Sequence, residues 1–203
     1  TMSAGLSLEW WHRNSGSKDY AMLDQEAEQT RPGSGGLLFL PYLNGERTPH
    51  VDPDLSAAFL GLNSNTTHAH MTRAVMEGVA YSLMQCLELC EGLGFYAPSL
   101  VASGGAARSK PWLQLQADIY NRPLRVSQTQ EQAGLGAAIA AGVGAGIYSN
   151  LESACSSVVR YREDVVTPDA RRHEIYRRLY ELYKMAALEN QSILDQLTVF
   201  GRN

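Results

Sequence analysis

Apolar residues recur along this chain in two rhythms, spacings of three and four and short unbroken runs. Leu6, Leu8, Trp10 and Trp11 crowd the first dozen positions in a helix-like stretch that Ser3 or Gly5 can open. A polar stretch from 14 to 36 follows, with a short helix expected around Asp19 to Ala27 and a loop through Pro32-Gly33-Ser34-Gly35-Gly36. Leu37-Leu38-Phe39-Leu40, closed by Pro41, reads as a buried strand, and Ala58 to Leu62 as a second. Met71, Val75, Gly78, Val79, Ser82, Cys86 and Cys90 then form one stripe of a long helix, capped near Thr66 and Thr67 and ended by Gly92 and Gly94.

The second half alternates. Ser99 to Ser103 predicts a strand, Gly104-Gly105 a break, and Pro111 the first turn of a helix that runs to Tyr120. Leu124-Arg125-Val126 is a short strand, Ala133 to Gly146 a helix of small residues, and Leu151 begins a short further segment. A last helix is expected from about 169 to 197, with Ile175, Leu179, Leu182, Ala186, Ile193 and Leu197 inward. Strand and helix alternating in this way give an α/β layered domain.

Composition changes this picture little. The 203 residues are 44% hydrophobic and 19% charged, ordinary for one globular domain with its own core. A net charge of −4 speaks against a nucleic-acid partner. The cluster Arg171, Arg172, Arg177 and Arg178 is interleaved with Glu174 and Glu181, as on a solvated helix face. No apolar run approaches a membrane span, and the opening residues carry no basic leader, so no membrane partner is expected. Cys86, Cys90 and Cys155 are odd in number and irregularly spaced, which fits a reducing cytoplasm and no metal site.

Four segments hold the candidate chemistry. Val101 to Trp112 takes a strand through Gly104-Gly105 into a helix start at Ser109-Lys110-Pro111. Glycines there would let a flat ring or phosphate reach the main chain, and the helix start would offer free N–H groups. Alone, the junction reads first as a structural turn and second as a ligand site. Glu131 to Gly142 reads as a helix packed closely through its small residues. Pro41 to His50 gathers Glu46, Arg47 and His50 in one loop, where His50 reads as a structural histidine.

The fourth segment has Ala57, Phe59, Gly61-Leu62, seven residues, His70-Met71, two residues, then Ala74-Val75-Met76-Glu77. This resembles the second signature of the FGGY family of carbohydrate kinases, and the other segments fall in that family's order. Phe39 to Pro49 resembles its xylulokinase branch more closely than its glycerol kinase branch.

The resemblance implies a ribonuclease H-like, actin-like ATPase domain, helix-rich and incomplete at its N-terminus, occupying 1–203. It implies a C-terminal half that holds ATP, with Mg²⁺ as cofactor. Gly105 and Ser109 match positions that contact adenosine, Gly104 shapes the turn, and Gly5 resembles a glycine near the ATP phosphates. Glu9 stands where relatives carry Gln, and its charge would repel phosphate. The implied partners are a sugar (D-xylulose first), ATP and the N-terminal domain of the same protein, with a homodimer left open. That domain would supply the catalytic Asp and the D-x-G-T phosphate loop, and a G-T-S-G phosphate loop would open the C-terminal domain; neither loop sequence occurs in these residues. Trp10 and Trp11 are the candidate patch for docking another chain.

Overall fold

The structure is a computed structural model that describes residues 1–17, 19–129 and 131–202. At its centre stands α3, His68–Gly92. Thr67 begins it by accepting from the His70 N–H, while the His70 ring accepts from the Thr67 N–H, a reciprocal cap with histidine in the usual place of Glu or Gln. Every residue from Thr72 to Ser82 is buried, so this stretch is enclosed on all sides rather than on one face. Its neighbours are α1 (Ala4–Asn14), α2 (Tyr20–Gln29), α4 (Lys110–Tyr120), α7 (Ala170–Gly201) and strand β1 (Leu38–Leu40). Gly78 permits the closest of these approaches, because a Cβ there would stand 2.1 Å from the Phe39 carbonyl oxygen.

Two small sheets flank this helix. In the first, β1 pairs antiparallel with β2 (Ala58–Leu60), Phe39 opposite Phe59. β2 ends two residues earlier than expected. Gly61 turns at φ 93° over the Gly36 carbonyl, and that turn closes the strand. In the second sheet the order is β3 (Leu100–Ala102), β4 (Leu124–Ser127), β5 (Tyr161–Val166), with β3 and β4 parallel and β5 antiparallel. β5 follows α6 (Leu151–Val158) and had no clear sequence signal: Arg162, Glu163 and Asp164 fill its middle, as an exposed edge strand tolerates. β3 is the other edge, its Val101 half exposed.

Three expectations need correction. The inner face of α7 is not the aliphatic stripe. Ile175, Leu182, Ile193 and Leu197 are exposed, while Tyr176, Tyr180, Tyr183, Ala187 and Leu194 are buried. The tyrosines win because each phenol finds a partner inside: Glu77 for Tyr176, Glu88 for Tyr180, Tyr42 for Tyr183. Secondly, α5 (Gln132–Gly144) is not packed closely along its length. It rests on α6, and among its residues only Ile139 and Gly142 are buried. Thirdly, Trp10 and Trp11 are not a docking patch. Trp10 stacks on Phe39 at 6.2 Å, and Trp11 is buried with its ring N–H donating to Thr72 at 2.9 Å.

A buried polar network ties the layers. The Glu77 carboxylate accepts from the Gly33 N–H, the Ser34 hydroxyl, the Arg73 guanidinium and the Tyr176 phenol, at 2.8–3.1 Å. Arg73 also donates to the Ala27 carbonyl at the end of α2. The carboxylate thereby joins the 33–34 turn, α3 and α7, and through Arg73 it reaches α2.

Candidate functional site

Three elements that are distant in sequence meet at one open cavity. The first is the start of α1. The Met2 N–H donates to the buried Glu46 carboxylate at 3.0 Å, and the same carboxylate accepts from the Arg47 N–H. The 41–50 loop therefore anchors the entry to α1, and this is the structural work of Glu46. The Ser3 side chain makes no capping bond, which leaves the first-turn N–H groups of α1, Gly5 among them, without a side-chain acceptor. His50 accepts or donates at 3.0 Å to Tyr42, which reaches Tyr183, in keeping with a structural histidine.

The second element is the turn between β3 and α4. Gly104 takes φ 77° and ψ −165°, a conformation that L side chains rarely adopt. A short turn over Gly105–Arg108 follows, and Ser109 caps α4 by accepting from the Trp112 N–H at 3.2 Å. Pro111 in the first turn loses no needed hydrogen bond there. The third element is α2, begun by Asp19, whose side chain accepts from the Met22 N–H. It presents Tyr20 and Asp24.

The cavity between them has a volume of about 540 Å³ and is lined by Gly5 and Glu9 of α1, Tyr20 and Asp24 of α2, and Gly105 and Ser109 of the turn. Buried Leu8 and Trp112 form its apolar wall. A second hollow of about 580 Å³ shares Gly5, Gly105 and Ala106 with it, so the two are adjoining parts of one groove with those residues at the waist. The Tyr120 phenol lies at the second hollow, buried and without a hydrogen-bond partner, and burial pushes its pKa far up. Size suits a small ligand.

Of the residues singled out from the sequence, Gly5, Gly105 and Ser109 line this cavity together with Glu9, and Gly104 sets the turn without lining it. A Cβ at Gly5 or at Gly105 would meet nothing within 4 Å, and neither has a positive φ. Packing therefore does not demand glycine at either place; what their bareness preserves is the open floor of the groove. Tyr20 and Asp24 carried no motif and were missed. Their signal exists only in space, where the Ser109 hydroxyl donates to Asp24 Oδ1 at 2.6 Å. Burial pushes the Asp24 carboxyl above its ordinary pKa, against the opposing pull of the Ser109 hydroxyl, and nearby Glu28 adds to the rise.

Among the described residues no three His, Cys, Asp or Glu side chains gather in metal-binding geometry. Mg²⁺ is ordinarily held by one or two carboxylates together with substrate phosphates, and no step below runs through the ion.

Residues 3–145 match the family model described as the FGGY family of carbohydrate kinases, C-terminal domain. A xylulose kinase of Staphylococcus epidermidis is 34% identical over 201 residues, which is 98% of this chain and 40% of the relative. A gluconokinase of Bacillus licheniformis is 42% identical over 125 residues, 61% of this chain and 24% of the relative. Among solved structures, a ligand-bound xylulose kinase from Lactobacillus acidophilus superposes with a TM-score of 0.82 at 26% identity, covering 92% of this chain and 38% of that one. The expected actin-like ATPase fold, helix-rich with small sheets, is borne out. The chain spans about two fifths of the length of the xylulose kinase it matches.

Proposed function

The chain belongs to the FGGY family of carbohydrate kinases, and on that footing we propose that it is the ATP-gripping C-terminal half, occupying 1–203, of a kinase that phosphorylates D-xylulose. One observation carries the nucleotide part: the groove has a bare floor at Gly5 and Gly105, where neither packing nor backbone conformation calls for glycine. Uncapped N–H groups of α1 open beside that floor, as an anionic phosphate requires. Adenosine lies against Gly105 and Ser109, with its phosphates toward Gly5. Glu9, one helical turn beyond Gly5, opposes phosphate in the first cavity and so favours a path across the waist into the second.

The reaction is in-line transfer of the ATP γ-phosphoryl group to a sugar hydroxyl. This chain's residues bind and orient the nucleotide; the base that takes the hydroxyl proton belongs to the N-terminal domain of the same protein. Closing the two domains over the groove excludes water. The exposed Val101 edge of β3 and the bare outer face of α5 are surfaces for that larger assembly. Three free cysteines accord with a cytoplasmic enzyme.

Xylulose is the first choice of sugar because the matching xylulose kinase aligns over 98% of the chain. Gluconate is the second, since the gluconokinase match is higher, at 42%, over its shorter span. The test uses the full-length kinase. Gly105→Leu is expected to raise the KM for ATP by about tenfold, the equivalent of roughly 1.4 kcal/mol. Its sugar KM and Tm should stay unchanged, because a Cβ at this position meets no protein atom within 4 Å. An unaltered ATP KM would remove the nucleotide reading. Turnover of gluconate equal to or faster than that of xylulose would remove the sugar assignment.

A further inference from the structure

Ser109 has one hydroxyl proton, and it is committed. The hydroxyl donates to Asp24 Oδ1 at 2.6 Å and accepts from the Trp112 N–H at 3.2 Å. It has no proton left for a nucleoside. Its effect is to hold the Asp24 side chain at the wall of the cavity, beside Leu8 and Trp112. No Arg, Lys or His among the described residues forms an ion pair with Asp24, so its second oxygen, Oδ2, remains an acceptor at a wall of mixed character, with apolar Leu8 and Trp112 on one hand and Glu9, Tyr20 and Arg108 on the other.

We propose that Asp24 selects the base of the nucleotide by accepting a hydrogen bond from the 6-amino group of adenine. This rests on the nucleotide reading given above and goes beyond it, since Asp24 lies on α2, outside every motif that pointed to the site. A phosphate is repelled by the carboxylate, whereas an uncharged base is not. Among bases, guanine presents N1–H and its 2-amino group side by side, a pair met best by both oxygens of one carboxylate, and Oδ1 of Asp24 is already shared with Ser109. Guanine and hypoxanthine also carry a carbonyl oxygen at position 6, which would face Oδ2 with both groups accepting and neither donating. The raised proton affinity that burial imposes on Asp24 is consistent with a carboxylate short of donors when the pocket is empty. Tyr20, stacked on His12 at 4.4 Å, stands at the same wall and limits how far the base can slide.

The experiment compares kcat/KM for ATP, inosine triphosphate and 2′-deoxy-ATP in the full-length enzyme and in its Asp24→Asn variant. Inosine triphosphate replaces the 6-amino group by a carbonyl and keeps the ribose and phosphates. The unmodified enzyme is expected to favour ATP over inosine triphosphate by about tenfold or more, the usual worth of a hydrogen bond to a charged group. In Asp24→Asn, whose amide can still accept from Ser109 and can turn a donor toward a carbonyl, that ratio collapses toward unity. The ratio of ATP to 2′-deoxy-ATP stays as it was. Asp24→Ser, read in the same way, serves if the first variant does not fold. Equal losses for all three nucleotides would overturn the proposal and leave Asp24 as a prop for Ser109. A change confined to 2′-deoxy-ATP would also overturn it, since the carboxylate would then read the ribose. A Gly105→Leu enzyme with a normal ATP KM would be the separate failure, that of the nucleotide reading itself.

Discussion

Asp24 shows at the residue scale how a binding wall can work against stability. Its carboxyl is half-buried, and burial raises its pKa above the ordinary 3.8. A carboxyl whose pKa is higher in the folded chain than in the unfolded one lends stability in its protonated form. That stability is full below the unfolded value and is lost as pH rises through the folded value. Asn cannot ionise and escapes the loss. Urea denaturation of this chain at pH about 4 and about 7 should therefore show Asp24→Asn gaining on the unmodified chain as pH rises. A constant difference between the two would mean that Asp24 is solvated in the folded state. Gly105 was legible at this scale because a strand-to-helix junction leaves marks in sequence, whereas Gly5 was reached only through the family resemblance. Asp24 was not: a carboxylate in the middle of a polar helix looks like any solvated one until Ser109 is brought beside it.

At the scale of elements, α7 separates what periodicity can tell from what it cannot. Its sequence carries two stripes of comparable regularity, one aliphatic through Ile175, Leu182, Ile193 and Leu197, the other through Tyr176, Tyr180 and Tyr183. Hydrophobicity alone ranks the first above the second. The interior decides otherwise, because Glu77 and Arg73 of α3 need partners that only a phenol can supply. Tyr176→Phe leaves those charged groups with one bond fewer and is expected to cost about 1–3 kcal/mol in urea denaturation. Ile175→Ser, on the exposed stripe, should change stability by no more than about 0.5 kcal/mol. The reverse order of effects would restore the aliphatic face as the inner one. In α3 the stripe understates burial, since every residue from Thr72 to Ser82 is enclosed, while Cys90 at its far end is exposed. β5 escaped notice because an edge strand with charges on both faces lacks the alternation that marks a half-buried one.

At the scale of the molecule the groove is a single wall. Its floor and one side come from α1, α2 and the β3–α4 turn, and it opens outward along Gly5 and Gly105. A nucleotide held on one side loses part of the contact and exclusion of water that a closed cleft gives. The isolated chain is therefore expected to bind Mg-ATP with a Kd of about 1 mM or weaker by calorimetric titration. Micromolar binding would mean that this wall suffices alone and would favour a stand-alone nucleotide module. The sequence by itself determined the order of most helices and strands, because glycine, proline and capping residues act through local backbone geometry, and its spaced motif determined the family, whose resemblance pointed to the glycines of the groove. Only the tertiary structure decided which face of α7 is buried, that α5 lies largely bare and that Asp24 joins Ser109 at the wall of the groove. Each of those depends on which unsatisfied group or open surface stands opposite, and position along the chain does not encode that.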